Sequence, residues 1–91
     1  MPWSQYYTLR SQVNGNYLVA HPDPEAAYLL VFQEHFEALS YLNTHGREVR
    51  DRFTVEVLPS TQLQGVLQRW QMQGIGLVQD PLIPKIEFLR V

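Results

Sequence analysis

The feature that most constrains this chain is the unbroken apolar run Ala-Ala-Tyr-Leu-Leu-Val-Phe from Ala26 to Phe32. It lacks the alternation of a half-exposed strand and is short for a helix, so it reads as a central strand covered on both faces. A chain of 91 residues folds as a single domain, residues 1–91, around one core. Its 45% hydrophobic and 18% charged residues supply that core and argue against intrinsic disorder.

The remaining elements arrange themselves around this strand. From Tyr6 to Val13, Tyr7, Leu9, Ser11 and Val13 alternate with Thr8, Arg10 and Gln12, which predicts a strand. Asn14-Gly15 accepts the positive φ values of a type I′ turn, and Asn16 to Ala20 supplies the returning strand. His21-Pro22-Asp23-Pro24 interrupts regular structure and reads as an exposed connection.

Beyond the central run, His35, Ala38, Leu39 and Leu42 share one helical face. This predicts a helix from Glu34 to about Thr44, with Gly46 as a left-handed cap. Arg47, Glu48, Arg50, Asp51 and Arg52 form a mixed-charge loop whose signs largely cancel. Phe53, Val55 and Val57 alternate with Thr54, Glu56 and Leu58 before Pro59, giving a strand whose core face carries the first set. Thr61 and Gln64 match a capping box, and Leu63, Val66, Leu67 and Trp70 fall at helical spacing before Gly74. Ile75 to Val78 is a short buried strand, Asp80 to Pro84 a turn, and Lys85 to Val91 a final strand.

The order β-β-β-α-β-α-β-β predicts an α/β (α+β) domain. Its expected architecture is a single mixed sheet of about five to six strands, with two helices on one face and antiparallel strands flanking an inner parallel pair.

Composition removes several functions. Seven Lys and Arg against nine Asp and Glu give a net charge of −2, too little positive field to hold a nucleic-acid backbone. The absence of cysteine excludes disulfides, thiolate metal sites and cysteine nucleophiles. Residues Met1 to Arg10 lack the pattern of a secretory signal, and no apolar run approaches the ~18 residues of a membrane span. A cytoplasmic location is the simplest expectation.

No motif carries catalysis. His21, His35 and His45 are too widely spaced for a paired ligand motif, so neither a metal site nor a cofactor is expected. They read instead as a turn residue, a residue at a helix edge and a cation near a helix C-terminus. Glu34 and Glu37 read as solvated helix surface, and Ser40 and Ser60 lack a nucleophile elbow. Gly74-Ile75-Gly76-Leu77 follows a helix and enters a strand, the reverse of a phosphate loop. Gly74 reads as a helix cap and Gly76 as a point of close backbone packing.

Two features suit a partner surface. The second helix carries Gln62, Gln64, Gln68, Gln71 and Gln73 with one charge, Arg69, a polar but nearly neutral face that desolvates cheaply. Trp3, Tyr6 and Tyr7 cluster at the amino end, where exposed aromatic rings could anchor an interface.

Tyr28-Leu29-Leu30-Val31-Phe32, the helix with Phe36-Glu37-Ala38-Leu39, and the late Gly74-Ile75-Gly76-Leu77-Val78-Gln79-Asp80-Pro81 together resemble small proteins of cyanobacteria and chloroplasts. The same stretch is similar to the amino-terminal SseB-like domain, with its Val-Phe strand end and a late Gly-Leu-Val segment before Asn-Pro. Here Asp80 stands in place of that Asn. The resemblance runs from Tyr28 to the end and implies a fold and a cyanobacterial or plastid setting, with no site residue attached.

The leading expectation is therefore a non-enzymatic interaction or regulatory module. It would associate with itself or within a larger complex through Trp3, Tyr6, Tyr7, Gln64, Gln68 and Gln71. A second is a small-molecule sensor with a site at the carboxyl ends of the parallel strands near Phe32, Leu58 and Asp80. A third is an enzyme assembled from His21, Asp23 and Asp80.

Overall fold

The computed structural model describes residues 4–46 and 52–90; Trp3 and the mixed-charge positions 47–51 lie outside the described residues. Among the described residues, six strands and two helices follow the predicted order: β1 (Gln5–Ser11), β2 (Val19–Asp23), β3 (Ala26–Val31), α1 (His35–His45), β4 (Phe53–Pro59), α2 (Ser60–Arg69), β5 (Gly74–Asp80) and β6 (Lys85–Arg90). The domain is α+β.

The predicted single sheet is divided in two. β2, β3, β5 and β6 form a four-stranded sheet in that order, and β1 and β4 form an antiparallel pair. β3 and β5 are parallel, whereas β2 and β6 run antiparallel on the outside. The division arises because the chain after β1 changes partner within a few residues. Ser11 N–H donates to Asn16 C=O and Leu18 N–H to Leu9 C=O, after which Leu18 C=O accepts from Leu30 N–H. A further bridge between Tyr7 and Phe32 seams the two sheets together.

The apolar run is indeed central, between β2 and β5, and its two faces feed two cores. Leu29 and Val31 point into a cluster with Leu63, Val66 and Leu67 of α2, together with Ile75 and Leu77. Leu30 and Phe32 point the other way, to Ala38 and Leu42 of α1 and to Val78. The helices thus cover opposite faces rather than one. A strand that is apolar at consecutive positions exposes one row of side chains unless each face has its own cover.

Several local expectations change. Asn14 does not take positive φ; Gly15 alone does, at 76°, in a loop closed by Gly15 N–H on Ser11 C=O. His21 to Asp23 belong to β2, with the ladder shifting register between Ala20 and Asp23 where Pro22 removes a donor. Gly46 has φ −129°, outside the left-handed region. The capping box does not form: Pro59 occupies the N-cap of α2, which runs from Ser60 to Arg69 without a side-chain cap. The left-handed residue after α2 is Gln71, φ 57°, and Gly74 begins β5 instead of ending the helix.

In β4 Phe53 and Val55 of the predicted face pack against the core under α1, but Val57 of that face is 53% exposed and the one buried residue, Leu58, belongs to the other face. Strand pairing decides this, since Leu58 lies opposite fully buried Tyr6.

Candidate functional site

The expected anchors separate in the structure. Tyr6 is fully buried in the core under α2, so it is no exposed anchor. Tyr7 is partly buried, its ring meeting that of His35 edge-on at 5.8 Å. Gln64, Gln68 and Gln71 are exposed, but Gln71 lies beyond the helix. Gln73 is also outside α2: its N–H donates to Ala27 C=O at 2.9 Å and its Oε1 accepts from Ala27 N–H at 2.6 Å. It extends the β3–β5 ladder in place of backbone.

The expected ligand site is filled by protein. Phe32 is fully buried under Tyr41, with rings 5.5 Å apart. Leu58 is buried in the other core, and Asp80 caps its own turn by accepting from Leu82 N–H at 2.9 Å. The third set is split. Asp23 lies opposite Ala26, where β3 begins, whereas Asp80 ends β5, whose strand runs parallel to β3. Continuing the register of Val31 opposite Leu77, Asp80 is level with position 34, so the two lie on the order of 26 Å apart along the sheet. Among the described residues, no three His, Asp or Glu side chains are grouped to hold a metal ion.

A different site emerges beside β4. A groove of about 440 Å³ runs between this strand and α2, floored by Arg10, Glu56, Val57 and Leu58 and walled by Thr61, Gln62, Gly65, Val66 and Arg69. The wall is one flank of the helix: Gln62, Val66 and Arg69 follow one another at helical spacing, and Gly65 adds no side chain to block access. Gln64 and Gln68 lie on the opposite flank, about 200° and 240° around the helix from Gln62 at about 100° per residue.

Aromatic contacts fix the end of the groove. The Arg10 guanidinium sits 4.8 Å above the Tyr17 ring, and Tyr17 meets Trp70 edge-on at 5.7 Å. The end of α2 is thereby held over Tyr17, and Arg69 lines the groove together with Arg10. Arg10 also donates through Nε to Gly15 C=O at 2.8 Å and reaches Glu56 at 3.5 Å. With both partners well exposed, that ion pair contributes at most about 1 kcal/mol. The three charges sum to one net positive charge.

The strand beside this groove has an open edge. Tyr7, Leu9 and Ser11 direct their backbone groups toward Phe32, Leu18 and Asn16. Alternation therefore turns Tyr6, Thr8 and Arg10 toward their β4 partners Leu58, Glu56 and Thr54. The N–H and C=O groups of Phe53, Val55 and Val57 consequently face away from β1, where no described strand pairs with them.

Signals for this site existed in the sequence only as the strand Phe-Thr-Val-Glu-Val-Leu and the small residue Gly65 within α2. Nothing in one strand's sequence says which of its edges is paired. Comparison with protein-family models, with curated proteins and with solved structures finds no match. Among the described residues, no helix is long and apolar enough to cross a membrane.

Proposed function

We propose that this chain is a non-enzymatic protein-interaction or regulatory module, a homo-oligomer or an accessory subunit of a larger complex, that works by adding an extended segment to the open edge of β4. The observation that carries this reading is the outward-facing backbone of Val55 and Val57 beside an unfilled groove. An edge strand is a template for another strand, and soluble proteins normally blunt such edges.

The other edges are blunted. β2 is short and carries Pro22 and a register shift, and β6 carries Lys85, Glu87 and Arg90. β4 has β-branched residues at Thr54, Val55 and Val57, and Glu56 as its single charge. Strand addition gives affinity through main-chain bonds and specificity through alternate side chains, which here would enter the groove against α2.

A photo-activated cross-linking residue at position 57, compared with one at position 68 on the far flank of α2, tests the reading in the native cell. Adducts from position 57 and none from position 68 are expected, whether to another protein or to this chain. Adducts from position 68 alone, or from neither, overturn it.

A further inference from the structure

Building on that reading, we infer that the segment paired with β4 is β4 of a second copy, in an antiparallel two-fold arrangement with Val55 opposite Val55. The geometry restricts the possible registers. Outward-facing backbone belongs to the odd-numbered residues of β4, so a hydrogen-bonded pair must join odd to odd. With Val55 opposite Val57 of the second copy, Glu56 faces Glu56, a like-charge pair directly across the ladder. With Val57 opposite Val57, Pro59 meets Val55 and removes a donor.

With Val55 opposite Val55, Phe53 pairs with Val57, and Thr54 with Glu56 of the second copy. Both sets are compatible, and all the pairing residues lie within the strand.

Charge favours the same register. Glu56 of the second copy arrives opposite Thr54, the residue paired with Arg10. Arg69, next in sequence to the Trp70 that meets Tyr17 edge-on, lines the same groove as Arg10. An acidic side chain thus enters where the groove carries net positive charge, and symmetry repeats the contact on the other copy. The exposed apolar side chain of Val57 is covered by Phe53 in the same step.

The absence of cysteine makes the register directly testable in the full chain. Val55→Cys, Glu56→Cys and Val57→Cys are each oxidised, while sedimentation velocity follows the unmodified chain over a wide concentration range. Two-fold pairing at Val55 predicts a concentration-dependent dimer and covalent dimers from Val55→Cys only, because position 57 of each copy lies about 13 Å from its equivalent. Arg69→Glu is expected to weaken association about tenfold.

Val57→Pro is expected to give a monomer with unchanged circular dichroism; should it fail to fold, Val57→Lys serves the same purpose by placing a charge at the edge. Cross-linking through Glu56→Cys, or a dimer indifferent to Val57 and Arg69, overturns the pairing. A monomer at every concentration overturns self-association. If position 57 then still yields adducts to another protein, the edge reading survives; if it yields none, both fail.

Discussion

Tyr7 and Phe32 exchange both of their backbone hydrogen bonds, Tyr7 N–H to Phe32 C=O at 2.9 Å and Phe32 N–H to Tyr7 C=O at 2.8 Å. This bridge, with the bonds of Leu9 and Ser11 to Leu18 and Asn16, fixes the direction of the backbone groups in β1, and so in β4. Proline can test it. At Glu56 the amide points into the β1–β4 ladder, so Glu56→Pro should cost on the order of 3 kcal/mol. At Val57 the amide points outward, and Val57→Pro should cost less than about 1 kcal/mol. Urea midpoints measured on dilute protein decide the matter; equal losses would mean the parity is wrong.

Two glycines of β5 answer to different neighbours. A Cβ on Gly74 would run into the Leu89 carbonyl oxygen and approach the Arg90 Cα to 2.8 Å, backbone that cannot move without breaking the β5–β6 pair. A Cβ on Gly76 would meet only side-chain atoms, of Leu30, Ile86 and Phe88, at 3.1, 3.2 and 3.3 Å. Gly76→Ala is therefore expected to cost about 1 kcal/mol and Gly74→Ala about 3 kcal/mol or a failure to fold. Thermal denaturation that ranks them the other way would contradict the packing.

Much of this architecture was legible in the sequence because burial leaves a compositional trace. Ala26 to Phe32 could be read as a central strand since each of its faces must be apolar. Close backbone packing, expected at Gly76, lies instead at Gly74; Gly76 is crowded by side chains alone. What escaped depends on partners distant in sequence. Phe53, Val55 and Val57 look like a core face, yet Val57 is exposed because pairing places Leu58, not Val57, over Tyr6. The aromatic Tyr6 looks like an anchor until β4 and α2 close over it. The groove belongs to no segment alone, since Arg10 reaches it from β1 and Arg69 from α2.

Helix ends escape a reading of the sequence for a related reason. Gln71 takes the left-handed conformation because the chain must turn sharply between α2 and β5, where Met72 N–H donates back to Leu67 C=O at 2.8 Å. A side chain there carries a strain of roughly 1 kcal/mol, so Gln71→Gly should stabilise the fold by about 0.5 to 1 kcal/mol. Gly15→Ala should do the opposite by about 1 kcal/mol, although open space surrounds it, because its φ of 76° disfavours any Cβ. A destabilised Gln71→Gly would show that the glutamine side chain contributes more than its backbone costs.

The last prediction concerns alkaline pH. Burial pushes the phenols of Tyr6 and Tyr41 above the ordinary tyrosine value, because a phenolate loses its hydration in the core. A group that holds its proton more tightly when folded contributes stability that is fully present below its unfolded pKa of about 10 and declines as pH rises through the folded value. Arginine does not titrate in this range, and Lys85, the one lysine, is exposed. Loss of stability above about pH 10 should therefore follow tyrosine ionisation. Tyrosinate absorbance should still be rising above the ordinary tyrosine range as Tyr6 and Tyr41 ionise, and Tyr41→Phe should flatten the decline. A stability profile level through this range, or one that Tyr41→Phe leaves unchanged, would remove Tyr41 from the account and with it the claim that Tyr41 is desolvated against Phe32.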